Sequence, residues 1–300
     1  MDECISLLRD AFGLQSEKRA TILPRNRIQS KDGTLNVMAA TVQGLEVSGT
    51  KTYYGSRAGV SFIVLLFSTS EARPIAIIEA NRLGQIRTGA VSGLMTEIMA
   101  AGSSKTLACA GTGYQAETQI EGVAAVRKLD RVLVYSRSRE NREVFASSVG
   151  KKLGIEITAV EDTSEFRNAD IVVTATNSRT PVIPDTHLQD ACHINAIGAN
   201  RIGSNELEPA TVCSARKVVV DSIEQAKLES GDLAAAAEKG CFDWSSVSEI
   251  WEAVSGNIRE NHRATTERTI FKSLGIALED VAAGKFIFDR AVKMGLGTWL

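Results

Sequence analysis

The chain has 300 residues, enough for one large domain or two of ordinary size, with 44% hydrophobic and 23% charged residues as in an average soluble globular protein. A formal net charge of -2 and a pI of about 6.0 argue against a broad basic surface for nucleic acid. The longest apolar stretch, Val60 to Phe67, is far too short to span a bilayer, and no secretory apolar region follows the acidic start Met1-Asp2-Glu3-Cys4. A cytoplasmic protein is the expectation. The five cysteines (Cys4, Cys109, Cys192, Cys213 and Cys241) are scattered without a C-x-x-C pair, so free thiols in a reducing compartment are expected and a metal site is not.

Cys4 to Phe12 has the pattern of a short amphipathic helix, and Arg25 to Ala80 is β-rich, with strand-like runs at Val60–Phe67 and Pro74–Ile78. Thr88 to Ala101 has apolar residues at helical spacing and stops at Gly102. From Lys105 strands and helices alternate. Strands are predicted at 106–110, 131–136, 155–160, 171–176, 193–197 and 217–221, and helices at 114–129 and 139–153. This spacing predicts βαβ units and a parallel sheet, apolar on both faces because helices cover both. A last helix, Ile276 to Met294, is expected to return to the N-terminal part.

The strand 106–110 runs straight into Gly111-Thr112-Gly113-Tyr114-Gln115-Ala116, a G-x-G-x-x-A loop. The first glycine permits the tight turn, the second lets a pyrophosphate approach the backbone, and the small third residue lets the helix pack close. The helix N-terminus then offers free N–H groups and a positive dipole end to phosphates. A preceding strand, a following helix and a second strand at the right distance favour a dinucleotide site over a ligand-free turn. At the tip of that second strand stand Ser136-Arg137-Ser138-Arg139, with no acid to take the ribose hydroxyl of NAD. Guanidinium groups suit a phosphate, so NADP(H) is preferred. An Arg137 that only stacks on adenine would leave NAD(H) possible.

Four cations, Arg25, Arg27, Lys51 and Arg87, stand in the otherwise strand-forming first part. Arginine grips a carboxylate in a bidentate fork, and lysine can add a point charge or a proton. By spacing alone each is as easily a surface charge.

Gly84-Gln85-Ile86-Arg87-Thr88-Gly89-Ala90 changes that. With the glycine loop, His193-Ile194-Asn195-Ala196-Ile197-Gly198-Ala199, Asn205-Glu206-Leu207 and Thr269-Ile270-Phe271-Lys272-Ser273-Leu274-Gly275, it makes the chain resemble the ornithine cyclodeaminase/μ-crystallin family along nearly its whole length. The resemblance implies an α/β fold: a Rossmann-type parallel sheet domain (105–275) plus a discontinuous α+β substrate-binding and dimerisation domain (1–104 and 276–300). It implies a homodimer acting on a small amino or imino acid. Lys51 and Arg87 match catalytic and carboxylate-binding positions. Arg25 matches an early substrate arginine, with Arg27 its rival. Thr88, the glycine loop, Ser136, Thr176, Ile194, Asn195, Ala196 and Ile197 match cofactor-contacting positions. Ser273 and Leu274 match the segment beside nicotinamide and substrate.

Two departures stand out. Cyclodeaminases carry an Asp where this chain has Asn200, whose amide does not titrate usefully, so cyclodeamination of ornithine is disfavoured. Asn200 is kept as a substrate contact. The first helix is expected to begin almost directly at the start of the sequence, without the family's short leading strand. The expected activity is reduction of a cyclic ketimine, Δ1-pyrroline-2-carboxylate or Δ1-piperideine-2-carboxylate, to L-proline or L-pipecolate. Alanine dehydrogenation, cyclodeamination and a non-enzymatic μ-crystallin-like binding role are the alternatives.

Of the three histidines, His187, His193 and His262, His193 in its apolar strand reads as a core or edge residue. Asp221 either faces the crevice at the strand ends or caps the next helix. The acids Glu156, Glu161, Asp162 and Glu165 read as a solvated face, and Trp244, Trp251 and Trp299 as packing residues.

Overall fold

The structure is a computed structural model that describes residues 1–256 and 267–298. His262 and Trp299 lie outside the described residues. In chain order the first elements are α1 (Asp2–Ser16), β1 (Ala20–Gln29), β2 (Gly33–Val42), β3 (Val47–Ser56), β4 (Gly59–Ser68), β5 (Arg73–Glu79) and α2 (Asn81–Met99). There follow β6 (Thr106–Ala110), α3 (Tyr114–Val126), β7 (Arg131–Tyr135), α4 (Arg139–Leu153), β8 (Ile157–Ala159), β9 (Ile171–Thr174) and β10 (His193–Ala196). The last are α5 (Pro209–Cys213), β11 (Lys217–Val220), α6 (Ile223–Glu229), α7 (Gly231–Glu238), β12 (Ser248–Glu249), α8 (Ile250–Val254), β13 (Thr269–Lys272) and α9 (Ala277–Lys293). Among the described residues no helix is long and apolar enough to cross a membrane.

The chain divides into two compact units: Asp2–Arg87 with Gly275–Leu300, and Thr88–Leu274 with Met1. The boundary expected from the sequence lies at 104/105. The structural division falls earlier, within α2, because the helix from Thr88 on packs with the second unit: Gly89 abuts Thr118 of α3, and Thr96 accepts from Asn195 of β10.

In the first unit β1 to β5 form a five-stranded antiparallel sheet in chain order, with β1 at one edge. Side chains alternate across it. Met38, Ala40 and Val42 on β2, Val47 on β3, and Val64 and Leu66 on β4 are buried on one face. Helix α9 lies on that face, close enough that a Cβ at Gly49 would sit 3.0 Å from Val281 and one at Gly284 would sit 3.2 Å from Val64. Lys51 shares the face, since Met38, Lys51 and Val64 are register partners across β2, β3 and β4. The other face carries Leu23, Leu65 and Ile77 in one cross-strand row, with Ile63 and Phe67 beside it. Leu23 is 52% exposed, Ile63 48% and Ile77 66%.

The second unit holds an eight-stranded sheet in the order β12-β11-β13-β10-β9-β6-β7-β8, with every pairing parallel. Period-2 alternation splits its strands between two cores. Ala108, Ala110, Val172, Ile194, Ala196 and Val220 pack on one side, and Leu107, Cys109, Val132, Val134 and Val173 on the other. Helices α2 and α3 meet backbone to backbone: a Cβ on Gly89 would lie 2.1 Å from the Thr118 carbonyl oxygen. The strand order reverses at β6, which has β7 on one side and β9 on the other. Such a switch point opens a crevice at the carboxyl ends of the strands.

Two expectations need correction. The sequence reading has six strands in this sheet and lacks β12 and β13, although β13 sits between β10 and β11. Its run Thr-Ile-Phe-Lys is short and ends on a charge, which hides it from a hydrophobic pattern. Lys272 is nonetheless fully buried, its ammonium 3.0 Å from the Asp232 carboxylate. The cysteines are not all free thiols either. Cys213 ends α5 and Cys241 follows α7, and the packing of these helices brings their Cα atoms to 5.4 Å, where the two form a disulfide. Cys4, Cys109 and Cys192 are free.

Candidate functional site

In the first unit three cations from three elements converge near the start of α9. Lys51 extends from β3 beneath the helix, 4% exposed, and its Nζ donates to Asp280 Oδ1 at 2.7 Å. Arg87, from α2 and 6% exposed, donates through Nε to the same oxygen at 3.2 Å and through Nη1 to Glu279. Arg25 lies where the β1–β2 register shifts between Leu23 and Asn26. Such an irregularity re-aims a side chain, and Arg25 Nη2 donates to the Gly275 carbonyl at 3.0 Å. Arg27 is only partly buried.

Glycines make the room. Gly275 has φ +74°, and a Cβ there would press on the Arg87 guanidinium at 2.9 Å. A Cβ on Gly84 would stand 3.4 Å from Lys51 Nζ. Glu279 and Asp280 lie in the first turn of α9, where the helix dipole favours negative charge. Burial and the neighbouring Arg87 pull the Lys51 pKa from 10.5 to about 8, against the opposing pull of Asp280. Lys51 is thus protonated at neutral pH and close to releasing its proton.

In the second unit Gly111 follows β6 with φ +121°, and a Cβ there would lie 2.4 Å from the Ala175 carbonyl oxygen. No other residue fits this turn. Gly113 is the N-cap of α3, makes no side-chain cap, and would meet nothing within 4 Å through a Cβ. Ala116 is fully buried under the helix. The backbone is therefore open to an anion over the helix N-terminus, so these residues fit a dinucleotide pyrophosphate. Thr112 and Gln115 are half-buried and Tyr114 is exposed.

At the tip of β7, Arg137 is exposed. Arg139 pairs with Glu143 at 2.7 Å. Ser138 caps α4 by accepting from Asn141 N, and Ser136 Oγ donates to the Ser138 carbonyl. The side chains of β10 are committed elsewhere. Ile194 and Ala196 pack in the core, and Asn195 Nδ2 donates to Thr96 Oγ1 at 2.9 Å. Ile197 stands at the crevice end of the strand, followed by the half-buried Asn200. Ser273 is buried with its N–H on the Ala196 carbonyl, and Leu274 packs in the core with its N–H on Asp221. Asp221 therefore anchors the chain after β13, while Ser222 caps α6. Thr88, at the head of this unit, is 7% exposed. His193 is buried, bonded to Thr269 and Asn195, and kept neutral by burial, which pushes its pKa to about 3.

Three acids that the sequence gives no role organise these sites: Glu279 and Asp280 in the first unit and Glu206, known from the sequence only as part of a motif, in the second. Glu206 is fully buried and accepts from Thr176 N at 2.7 Å, Thr176 Oγ1 at 2.7 Å, Thr174 Oγ1 at 3.0 Å, Gly198 N at 2.6 Å and Ala199 N at 3.1 Å. It ties together the segments that leave β9 and β10. Asn205-Glu206-Leu207 flags the position as part of a motif, but nothing in its spacing shows what the acid binds.

The sequence profile described as the ornithine cyclodeaminase/mu-crystallin family matches residues 1–295. This chain belongs to that family. Among its relatives, a Bacillus cereus Δ1-pyrroline-2-carboxylate reductase is 36% identical over 89% of this chain and 85% of its own length. An Archaeoglobus fulgidus alanine dehydrogenase is 30% identical over 99% and 93%. The solved Thermococcus litoralis Δ1-pyrroline-2-carboxylate reductase, in complex with NADH and L-proline, superposes with a TM-score of 0.94 at 32% identity, covering 100% of this chain and 96% of that one. This member of the family is an NAD(P)-dependent oxidoreductase.

Proposed function

We propose that the chain reduces a small cyclic ketimine carboxylate with NAD(P)H: Δ1-pyrroline-2-carboxylate to L-proline, or Δ1-piperideine-2-carboxylate to L-pipecolate. The observation that carries this is the buried pairing of Lys51 and Arg87 on one carboxylate oxygen, with Arg25 anchored close by on Gly275. Buried cations held in fixed geometry suit a substrate carboxylate.

In this reading Arg87 and Arg25 grip the substrate carboxylate, which fixes the ring. The loop Gly111–Ala116 holds the dinucleotide phosphates, and the bound nicotinamide supplies the hydride. Lys51, charged at neutral pH, provides the proton that the ring nitrogen needs as the C=N bond becomes C–N. Asn200 fits the same reaction. An amide can hydrogen-bond the substrate but cannot take a proton from the amine, as the Asp of cyclodeaminases does. We extend the reading to NADP(H) preference through Arg137 and to a homodimer through the exposed sheet face of Leu23, Ile63, Phe67 and Ile77.

Reductive amination of pyruvate is the second reading, favoured by similarity to the A. fulgidus alanine dehydrogenase over 99% of the chain. Oxidation of NADPH and NADH with each imine, and with pyruvate plus ammonia, separates the two.

A further inference from the structure

We propose that Asp280 is a positioning residue for this reduction: one carboxylate oxygen seats Lys51 and Arg87 side by side and keeps the Lys51 ammonium charged as the proton source. The inference rests on the ketimine-reductase reading. It assigns a role to a residue of the C-terminal helix that need not touch the substrate.

The geometry is specific. Asp280 is fully buried, and its Oδ1 accepts from Lys51 Nζ at 2.7 Å and Arg87 Nε at 3.2 Å. A single oxygen serving two cations fixes the distance between them. Glu279, the adjacent acid, pairs with Arg87 Nη1. The two carboxylates thus divide the work: Glu279 holds the far side of Arg87, while Asp280 holds Lys51 against it.

The charged groups acting on Lys51 are Arg87 from α2 and Asp280 and Glu279 from α9. From β4 the Phe62 ring centroid lies 5.2 Å from Nζ. The register partners Met38 on β2 and Val64 on β4 are apolar. Burial and Arg87 favour the neutral amine, while Asp280, in direct contact, favours the ammonium more strongly than Glu279 does. The balance leaves the Lys51 pKa at about 8. Without the Asp280 charge, the weaker pull of Glu279 is left to offset burial and Arg87, and the Lys51 pKa falls.

The test is the pH profile of kcat/KM for Δ1-pyrroline-2-carboxylate reduction, together with the titration of Lys51 followed by NMR of 13C-labelled lysine and assigned by its absence in Lys51→Arg. The reduction needs protonated Lys51, so the profile falls as pH rises through its pKa. Asp280→Asn is expected to move that alkaline limb and the Lys51 titration down together by about 1 to 3 pH units. Glu279→Gln is expected to move them less. A purely structural role lowers the amplitude without moving the limb, and a Lys51 titration unchanged in Asp280→Asn overturns the proposal. If Asp280→Asn does not fold, Asp280→Glu keeps the charge but displaces it. It should retain the limb and lower kcat, and a limb displaced by a unit or more also overturns the proposal. If no imine is turned over, the reductase reading fails, whereas the lysine titration still decides what Asp280 does to Lys51.

Discussion

The carboxylate of Glu206 accepts the backbone N–H of Gly198 at 2.6 Å, from the turn directly after β10. A Cβ on Gly198 would lie 2.1 Å from the Thr176 carbonyl oxygen and 2.6 Å from Glu206 itself, so the turn is packed around the acid. Glu206 therefore shapes the carboxyl ends of β9 and β10, beside the strand-order switch point where a dinucleotide binds in this type of sheet.

Replacing Glu206 by Gln keeps the size but turns an NH2 group toward N–H and O–H donors. Each donor left unsatisfied costs about 1–3 kcal/mol. Glu206→Gln is expected to weaken NAD(P)H binding at least about tenfold, the equivalent of about 1.4 kcal/mol. Nicotinamide fluorescence titration well below the melting temperature measures it. Wild-type affinity in the variant would show that Glu206 does not shape the cofactor site.

Much of the second unit is legible in the sequence because its strands are apolar and its helices are punctuated. Thr106–Ala110 and Arg139–Leu153 are read at their observed bounds, the latter between the cap Ser138 and Gly154, which adopts φ +67°. β13 is not legible, because a four-residue strand ending in Lys272 can be buried only with the partner carboxylate of Asp232, 40 residues earlier in the chain and not visible in the local pattern. The site divides along the same line. The glycine loop is local and reads directly. Lys51 and Arg87 stand out only through family resemblance, because their burial depends on a helix more than 190 residues further on: Asp280 is 229 positions from Lys51 and 193 from Arg87. Glu279 and Asp280 look like ordinary first-turn acids until the sheet beneath them is known.

The uncovered face of the antiparallel sheet predicts self-association. Ile77 is 66% exposed and pairs in register with Leu65, next to Ile63 and Phe67. Contiguous apolar area of this kind marks an interface. In sedimentation velocity the wild type is expected to run as a dimer, and Ile77→Asp combined with Ile63→Lys as a monomer. An unchanged dimer in the double variant would place the interface elsewhere.

Arg137 is exposed at the tip of β7, whereas Arg139 is engaged by Glu143. A hydrogen bond to a charged group contributes about 1.5–3 kcal/mol. Arg137→Ala is therefore expected to raise KM for NADPH about tenfold or more and to leave KM for NADH within about twofold. Equal effects on both cofactors would mean that Arg137 stacks on the adenine rather than binding a phosphate.

Turnover of the imine tests the reductase reading most directly. Purified protein is mixed with Δ1-pyrroline-2-carboxylate and NADPH or NADH at neutral pH, and nicotinamide absorbance is followed beside a Lys51→Ala variant. The wild type should consume reduced cofactor in step with the L-proline formed, while Lys51→Ala should lose turnover and still bind cofactor. No cofactor oxidation with this imine or with Δ1-piperideine-2-carboxylate, or full activity in Lys51→Ala, would contradict the account.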